Sequence, residues 1–276
     1  VVAGAFRRIP NEIRQLESLG LPESVSSLFT RPSGLILVTG PTGSGKTSTL
    51  AAMVDRINDS HRGHIVTIED PIEYMHSHKQ CIINQREVGS DTSSFRAALR
   101  YILRQDPDFV LLGEIRDRDS MEAALRISET GHLVLATLHT NSSVQTIHRV
   151  IDFFPATQQD MVRTQLSFVL TAVISQQLVA NDDNKGVSLA AEVMIPNAAI
   201  RNLIREDKTH QIYSQMQTGQ NTHGMQTLNQ SLCHLVSSGN IAETAALGVA
   251  NEREELIGLL SNLPPQRGDS DKVNEA

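Results

Sequence analysis

Residues 35–47 read Leu35-Ile36-Leu37-Val38-Thr39-Gly40-Pro41-Thr42-Gly43-Ser44-Gly45-Lys46-Thr47, and this stretch decides the fold. Five apolar or β-branched residues in a row predict a strand buried on both faces. The eight that follow match G-x-x-x-x-G-K-[ST], between that strand and a helix beginning near Lys46, which is the setting the motif requires. Its glycines let successive backbone N–H groups turn inward around phosphate oxygens, and the helix start adds partial positive charge there. Gly40, Thr42, Gly43, Ser44, Gly45, Lys46, Thr47 and Ser48 are therefore the candidates for holding the phosphates of ATP. Lys46 is expected to reach the β- and γ-phosphates and Thr47 to ligate Mg2+. An ordinary Gly-rich strand-to-helix turn needs neither the lysine nor the threonine.

Working outward, three further apolar runs, 65–68, 109–112 and 133–138, alternate with amphipathic segments, among them 95–103. The alternation predicts an α/β fold over residues 34–196, a doubly wound and mostly parallel sheet of the P-loop NTPase kind. In such sheets ligands bind at the carboxyl ends of the strands. The first run ends in Glu69-Asp70-Pro71-Ile72-Glu73, so Glu69, Asp70 and Glu73 suit a metal ion or a water as well as they suit a plain surface turn. The second ends in Gly113-Glu114, a Walker-B-like pattern with Gly113 where many NTPases have Asp, and Glu114 is the candidate general base. The third is bracketed by His132 and His139, each a candidate sensor of the γ-phosphate or a satisfied structural histidine.

Beyond the core, a long helical pattern runs from Pro155 to about Leu178, with Leu170, Val173 and Ile174 on its apolar face, and a strand is expected over 187–195. Helical patterns broken at Gly219, Gly224 and Gly239 predict a helical C-terminal subdomain over 197–263, followed by a flexible polar tail at 264–276. Within it Ile200, Leu203 and Ile204 form an apolar stripe, and Arg201 and Arg205 an expected basic ridge facing a partner. Residues 1–33 read as a linker followed by two short helices, from the spacing of Ile13, Leu16 and Leu19 and the position of Pro22.

Composition narrows the function classes. The 276 residues are 39% hydrophobic, and 31 acidic against 24 basic side chains leave a net charge of −7, which is globular and neither collagen-like, coiled-coil nor disordered. Cys81 and Cys233 have no C-x-x-C spacing, so neither a zinc site nor a disulfide framework is expected. No apolar stretch approaches the roughly 20 residues that span a bilayer, and a cytoplasmic protein is expected. With no Trp and 4% aromatic residues, the stacking platforms of a nucleic-acid motor are missing, and no nucleic-acid partner is expected.

Taken together these motifs resemble the type II/type IV secretion ATPase superfamily and, within it, the type IV pilus retraction ATPases. The resemblance runs from Phe6-Arg7-Arg8-Ile9-Pro10 to about Gly239 and takes in the P-loop, an Asp box at 65–73, an atypical Walker B at 111–117 and a His box at 130–140. The segment Ala199-Ile200-Arg201-Asn202-Leu203-Ile204-Arg205-Glu206 reads as the retraction subfamily's C-terminal motif, while the four-cysteine zinc element of the extension ATPases is lacking. The resemblance implies a homohexameric ring of RecA-like cores that hydrolyses Mg2+-ATP to retract the pilus and drive twitching motility. It implies an N-terminal PAS-like domain ahead of the linker, and a peripheral place at the inner membrane through the pilus machine and its platform protein. By motif position it gives Glu114, with Glu73, the catalytic carboxylate roles and His132 and His139 the sensor roles. A trans-acting arginine is expected between the Asp box and Walker B, with Arg86 ahead of Arg100 and Arg104. Related secretion, conjugation or accessory retraction ATPases share most of this pattern.

Overall fold

β1 (Gly34–Thr39) is buried along its whole length, as a run of Leu, Ile and Val with no polar face must be. The computed structural model describes residues 12–262 apart from 184 and 221–223; the expected linker at 1–10 and tail at 264–276 lie outside the described residues. Around β1 stand β2 (Gly63–Glu69), β3 (Cys81–Glu87), β4 (Phe109–Glu114), β5 (Leu133–Leu138), β6 (Leu170–Ala180) and β7 (Val187–Met194). They form one seven-stranded sheet in the order β3-β2-β4-β5-β1-β6-β7. Every neighbouring pair is parallel except β6 with β7, so the expected doubly wound, mostly parallel α/β fold is what forms.

Side chains alternate faces along a strand, and β1 divides accordingly. Leu35 and Leu37 join one core layer and Ile36 and Val38 the other. The first layer is closed by α2 (Phe95–Ile102), α3 (Arg118–Glu129), α4 (Ser143–Asp152) and α5 (Ala156–Val169), the second by α1 (Lys46–Ser60) and two 3-10 helices at Leu16–Leu19 and Glu23–Thr30. These 3-10 segments are the two short helices expected ahead of the core. At the far end α6 (Ala198–Arg205), α7 (Ile212–Thr218), α8 (Leu228–Ser237), α9 (Glu243–Val249) and α10 (Arg253–Ser261) follow one another. α8 to α10 pack a small apolar cluster of their own against Val179 and Ala190 of β6 and β7.

Three expectations change. The helix expected to run to Leu178 stops at Val169, and Leu170, Val173 and Ile174 belong to β6, paired with β1 on one side and β7 on the other. A short fully apolar run fits a buried helix or a buried strand equally by periodicity, and here the β-branched Thr171, Val173 and Ile174 take the sheet slot beside β1. The edge strand β3 was not among the expected strands: its burial alternates, only Cys81 and Ile83 face the core, and its apolar run is three residues long. The basic ridge also fails at Arg201. Its guanidinium donates to the carbonyls of Ser167, Phe168 at 3.0 Å and Leu170 at 3.0 Å. Those carbonyls lie where α5 ends and β6 begins, and they have no intrahelical partner. Arg201 is thus a half-buried cap within its own subunit.

Candidate active site

The loop after β1 needs glycine for steric reasons. At Gly40 φ is 140°, and a Cβ there would meet the Gln176 carbonyl oxygen at 2.3 Å and Ser44 Oγ at 2.6 Å. Gly45, with φ 89°, opens α1 from a left-handed conformation that side chains disfavour. Lys46 then folds back over the loop, and its ammonium donates to the carbonyls of Gly40 at 2.8 Å and Pro41 at 2.9 Å. Partial burial pushes its pKa down, while the Glu114 charge acts against that.

One pocket at the carboxyl edge collects the strand ends. Thr42, Gly43, Lys46 and Thr47 line it from the loop, Glu69 from the end of β2 with Asp70, Glu73 and Tyr74 just beyond, Glu114 from β4, and Thr137 of β5 with His139 directly after it. Of the remaining loop residues expected at the phosphates, Gly40 and Gly45 shape the backbone and Ser44 Oγ is buried without a hydrogen-bond partner. Ser48 turns to the Tyr74 hydroxyl at 2.8 Å.

Glu114 owes its direction to an irregularity. Leu112 pairs with Ala136 and Glu114 with Thr137, leaving Gly113 as an extra residue in β4, and its carbonyl accepts from Thr137 Oγ1 at 2.8 Å. Such a bulge re-aims the side chain that follows it. The Glu114 carboxylate is held by a two-pronged contact from Arg116, Nε at 2.8 Å and Nη2 at 2.9 Å, and by His139 Nε2 at 3.0 Å. The hydrogen bond from Arg116, helped by His139 and opposed by desolvation, pulls its pKa to about 2. Glu69 behaves in the opposite way. It is buried, accepts from Thr67 Oγ1 at 2.6 Å and Gln85 Nε2 at 3.2 Å, and burial pushes its pKa up.

Beyond the loop, two expected site residues do not join this pocket. His132 precedes β5 and so lies at the amino edge of the sheet, where its Nδ1 is 3.1 Å from both the Ile127 carbonyl and Thr130 Oγ1. A strand of six residues is roughly 20 Å long, so within one subunit His132 cannot sense a phosphate beside His139. Arg86 sits near the carboxyl end of the edge strand β3, in register with Ile68. Its side chain makes no hydrogen bond or ion pair among the described residues. Arg116 was missed by sequence reasoning. Its signal was the spacing Glu-x-Arg directly after a strand, which the bulge converts into a fork on the carboxylate.

Comparison with known proteins fits this geometry. A family profile described as "Type II/IV secretion system protein" matches residues 6–247. The chain belongs to this family. It is 50% identical over 254 residues to the "Twitching motility protein" of Neisseria gonorrhoeae, covering 92% of this chain and 68% of the relative. It is 52% identical over 245 residues to the type IV pilus retraction ATPase PilT of Pseudomonas aeruginosa, covering 88% and 71%. A solved structure of the pilus retraction motor PilT with bound ADP superposes with a TM-score of 0.86 at 52% identity, over 91% of this chain and 71% of that one. Within its family the chain is of the pilus retraction ATPase kind, an ATP-hydrolysing enzyme.

Proposed function

We propose that this protein is the motor of type IV pilus retraction. In this reading a homohexameric ring hydrolyses Mg2+-ATP between neighbouring subunits and passes rigid-body motion to the platform protein of the pilus machine at the cytoplasmic face of the inner membrane. The observation that carries it is the convergence in one pocket of Lys46, Thr47, Glu114 and His139 from three different strand ends. No described helix is long and apolar enough to cross a membrane, so attachment there would run through partners.

The donor set suits Mg2+. The Thr47 hydroxyl and the carboxylates of Glu69, Asp70 and Glu73 are all oxygen ligands lining one pocket. Among the described residues no group of three or more His, Cys, Asp or Glu is arranged to hold a metal by itself, so these residues would hold the ion together with phosphate oxygens and water. When bound it would neutralise phosphate charge. Lys46 exchanges its loop carbonyls for the β- and γ-phosphates, and its positive charge stabilises the leaving oxygen. Glu114 orients the attacking water and accepts its proton, with His139 holding the carboxylate in place. Arg86, projecting from the sheet edge, stabilises transition-state charge on the nucleotide of the neighbouring subunit.

Two measurements test the reading. Steady-state phosphate release must require Lys46, and cells whose own retraction ATPase is replaced by this chain must twitch; a protein that releases no phosphate above background overturns it. Inactive Arg86→Ala and inactive Lys46→Ala chains, co-assembled, are expected to regain partial activity where an intact P-loop meets an intact arginine, since such a group contributes on the order of 10³-fold. Verified mixed rings without recovery remove Arg86 from the site.

A further inference from the structure

Glu192 is a carboxyl group with no part in the chemistry above, yet it lies 1% exposed in the middle of the molecule. It stands on β7 opposite Ser175 of β6, and burying such a group is costly unless something specific compensates. Its Oε1 accepts the backbone N–H of Ser143, the first residue of α4, at 2.6 Å. Burial pushes its pKa up, with Ser143 and the backbone N–H of Leu228, the first residue of α8, acting against that. One carboxyl group therefore meets the amino ends of two helices, where exposed N–H groups and the helix dipole favour negative charge. Its other oxygen and the Ser143 hydroxyl are buried beside it, short of good hydrogen-bond geometry.

The two helices belong to different parts of the protein. α4 follows directly on the loop that carries His139, and that loop is fixed to it. Thr140 Oγ1 lies 2.7 Å from Thr146 Oγ1, Thr146 Oγ1 donates to the Ser142 carbonyl at 2.8 Å, and Asn141 N–H donates to Gln145 Oε1 at 3.2 Å. α8 opens the last helical cluster. It is joined to β7 through Ser231 Oγ, which accepts from Ala191 N–H at 3.1 Å, and through paired backbone bonds between Val193 and Gln226. From Glu114 through His139, the 139–143 loop and Glu192 to β7, and from its neighbour Ala191 to Ser231 of α8, the contacts are continuous.

We propose that Glu192 is a positioning residue that ties the placement of His139, and hence the nucleotide state, to α8. The inference rests on the ATPase reading above. Glutamine keeps an acceptor for the Ser143 N–H but puts an NH2 group in place of the second oxygen, a donor set against the positive end of α8.

The test compares wild type with Glu192→Gln in the full chain, using a non-hydrolysable ATP analogue as probe. Amide hydrogen exchange is followed at residues 139–146 and 228–231 with and without the analogue, beside its affinity and the steady-state kcat and KM. In wild type the analogue is expected to change exchange in both segments. In Glu192→Gln the change at 228–231 disappears, the analogue still binds, and kcat falls roughly tenfold with KM little altered, the size typical of losing a supporting contact. Ser143→Pro is the second variant. Proline fits the first helical position and Ser142 already has the extended backbone that precedes it, so one N–H is removed with the helix start retained; it must reproduce the loss at 228–231. A full wild-type response at 228–231 in either variant overturns the inference, as does a wild type that binds the analogue with no change there, and both outcomes leave the ATPase reading standing. Failure of the wild type to bind the analogue overturns both.

Discussion

The two edges of the sheet hold similar side chains and use them differently. At the carboxyl edge Lys46, Glu69, Glu114 and His139 line one pocket; burial pushes Lys46 down and Glu69 up, and Arg116 and His139 hold Glu114 low. At the amino edge His64, Asp108, His132 and Arg201 are also polar, but each is turned onto the backbone. Asp108 Oδ2 accepts the His64 N–H at 2.8 Å, His64 Nδ1 lies 3.0 Å from the Gln105 carbonyl, and Arg201 closes the junction of α5 and β6. The difference follows from the parallel sheet. The parallel strands β1 to β6 all begin at one edge, where side chains satisfy backbone groups, and end at the other, where the loops are free to cradle a ligand. Residue type alone does not separate chemistry from architecture; the edge does.

The largest test of that contrast is Lys46→Ala, expected to lower ATP turnover on the order of 10³-fold with the folded state intact, measured by phosphate release beside urea unfolding. Glu114→Gln should keep nucleotide affinity and lose turnover. Release at the wild-type rate by the glutamine variant would transfer the base role to Glu73, which lines the same pocket.

At the amino edge the mirror experiment is Arg201→Ala. Three carbonyls lose a charged donor, and stability is expected to fall by about 2 kcal/mol, read from the urea midpoint. The catalytic rate per folded molecule should stay unchanged. A variant of wild-type stability that no longer supports twitching would restore Arg201 as a partner-facing residue and break the contrast.

How legible the molecule was divides along the same line. Apolar strands buried on both faces and the loop after β1 are written in local runs, so β1, β2, β4 and β5 and the pocket's acids and lysine were readable directly. β6 was not, because its apolar run fits two periods and only its place beside β1 decides between them. His132 and His139 looked equivalent because sequence gives their bracketing of β5 but not which edge chemistry occupies. Arg116 and Glu192 were passed over for another reason: their importance lies in contacts, one created by the bulge at Gly113 and the other made with the start of α4, that the strands' own sequences do not announce.

The two histidines give a sharper and smaller test. His139→Ala removes a partner from Glu114 at 3.0 Å and should lower kcat roughly tenfold with little change in unfolding. His132→Ala removes a turn contact beside Ile127 and Thr130 and should cost about 1 kcal/mol of stability with kcat unchanged. Equal loss of kcat in both, measured in the assembled protein, would mean that an amino edge reaches a neighbour's nucleotide.

The smallest effect expected is a change of pH dependence in Arg116→Ala. Glu114 has its folded pKa lowered from 4.5 to about 2, first by the Arg116 hydrogen bond and then by His139. A carboxyl group lowered in this way contributes stability that is fully present above its unfolded value and is lost as pH falls through the folded one. Wild type should therefore lose this contribution between pH 4.5 and about 2. Without Arg116 the folded value moves back toward the ordinary carboxylate range, so the stability curve flattens in that window and the acidic limb of the kcat profile moves to higher pH. Lys46 and His139 still face Glu114 from α1 and β5, so the return is partial. The urea midpoint measured at about pH 5 and pH 3 for both proteins reads the effect without requiring turnover at low pH. Superimposable profiles would mean that Arg116 sits on Glu114 without acting on it, and the fork would then rank with the backbone-directed contacts of the opposite edge.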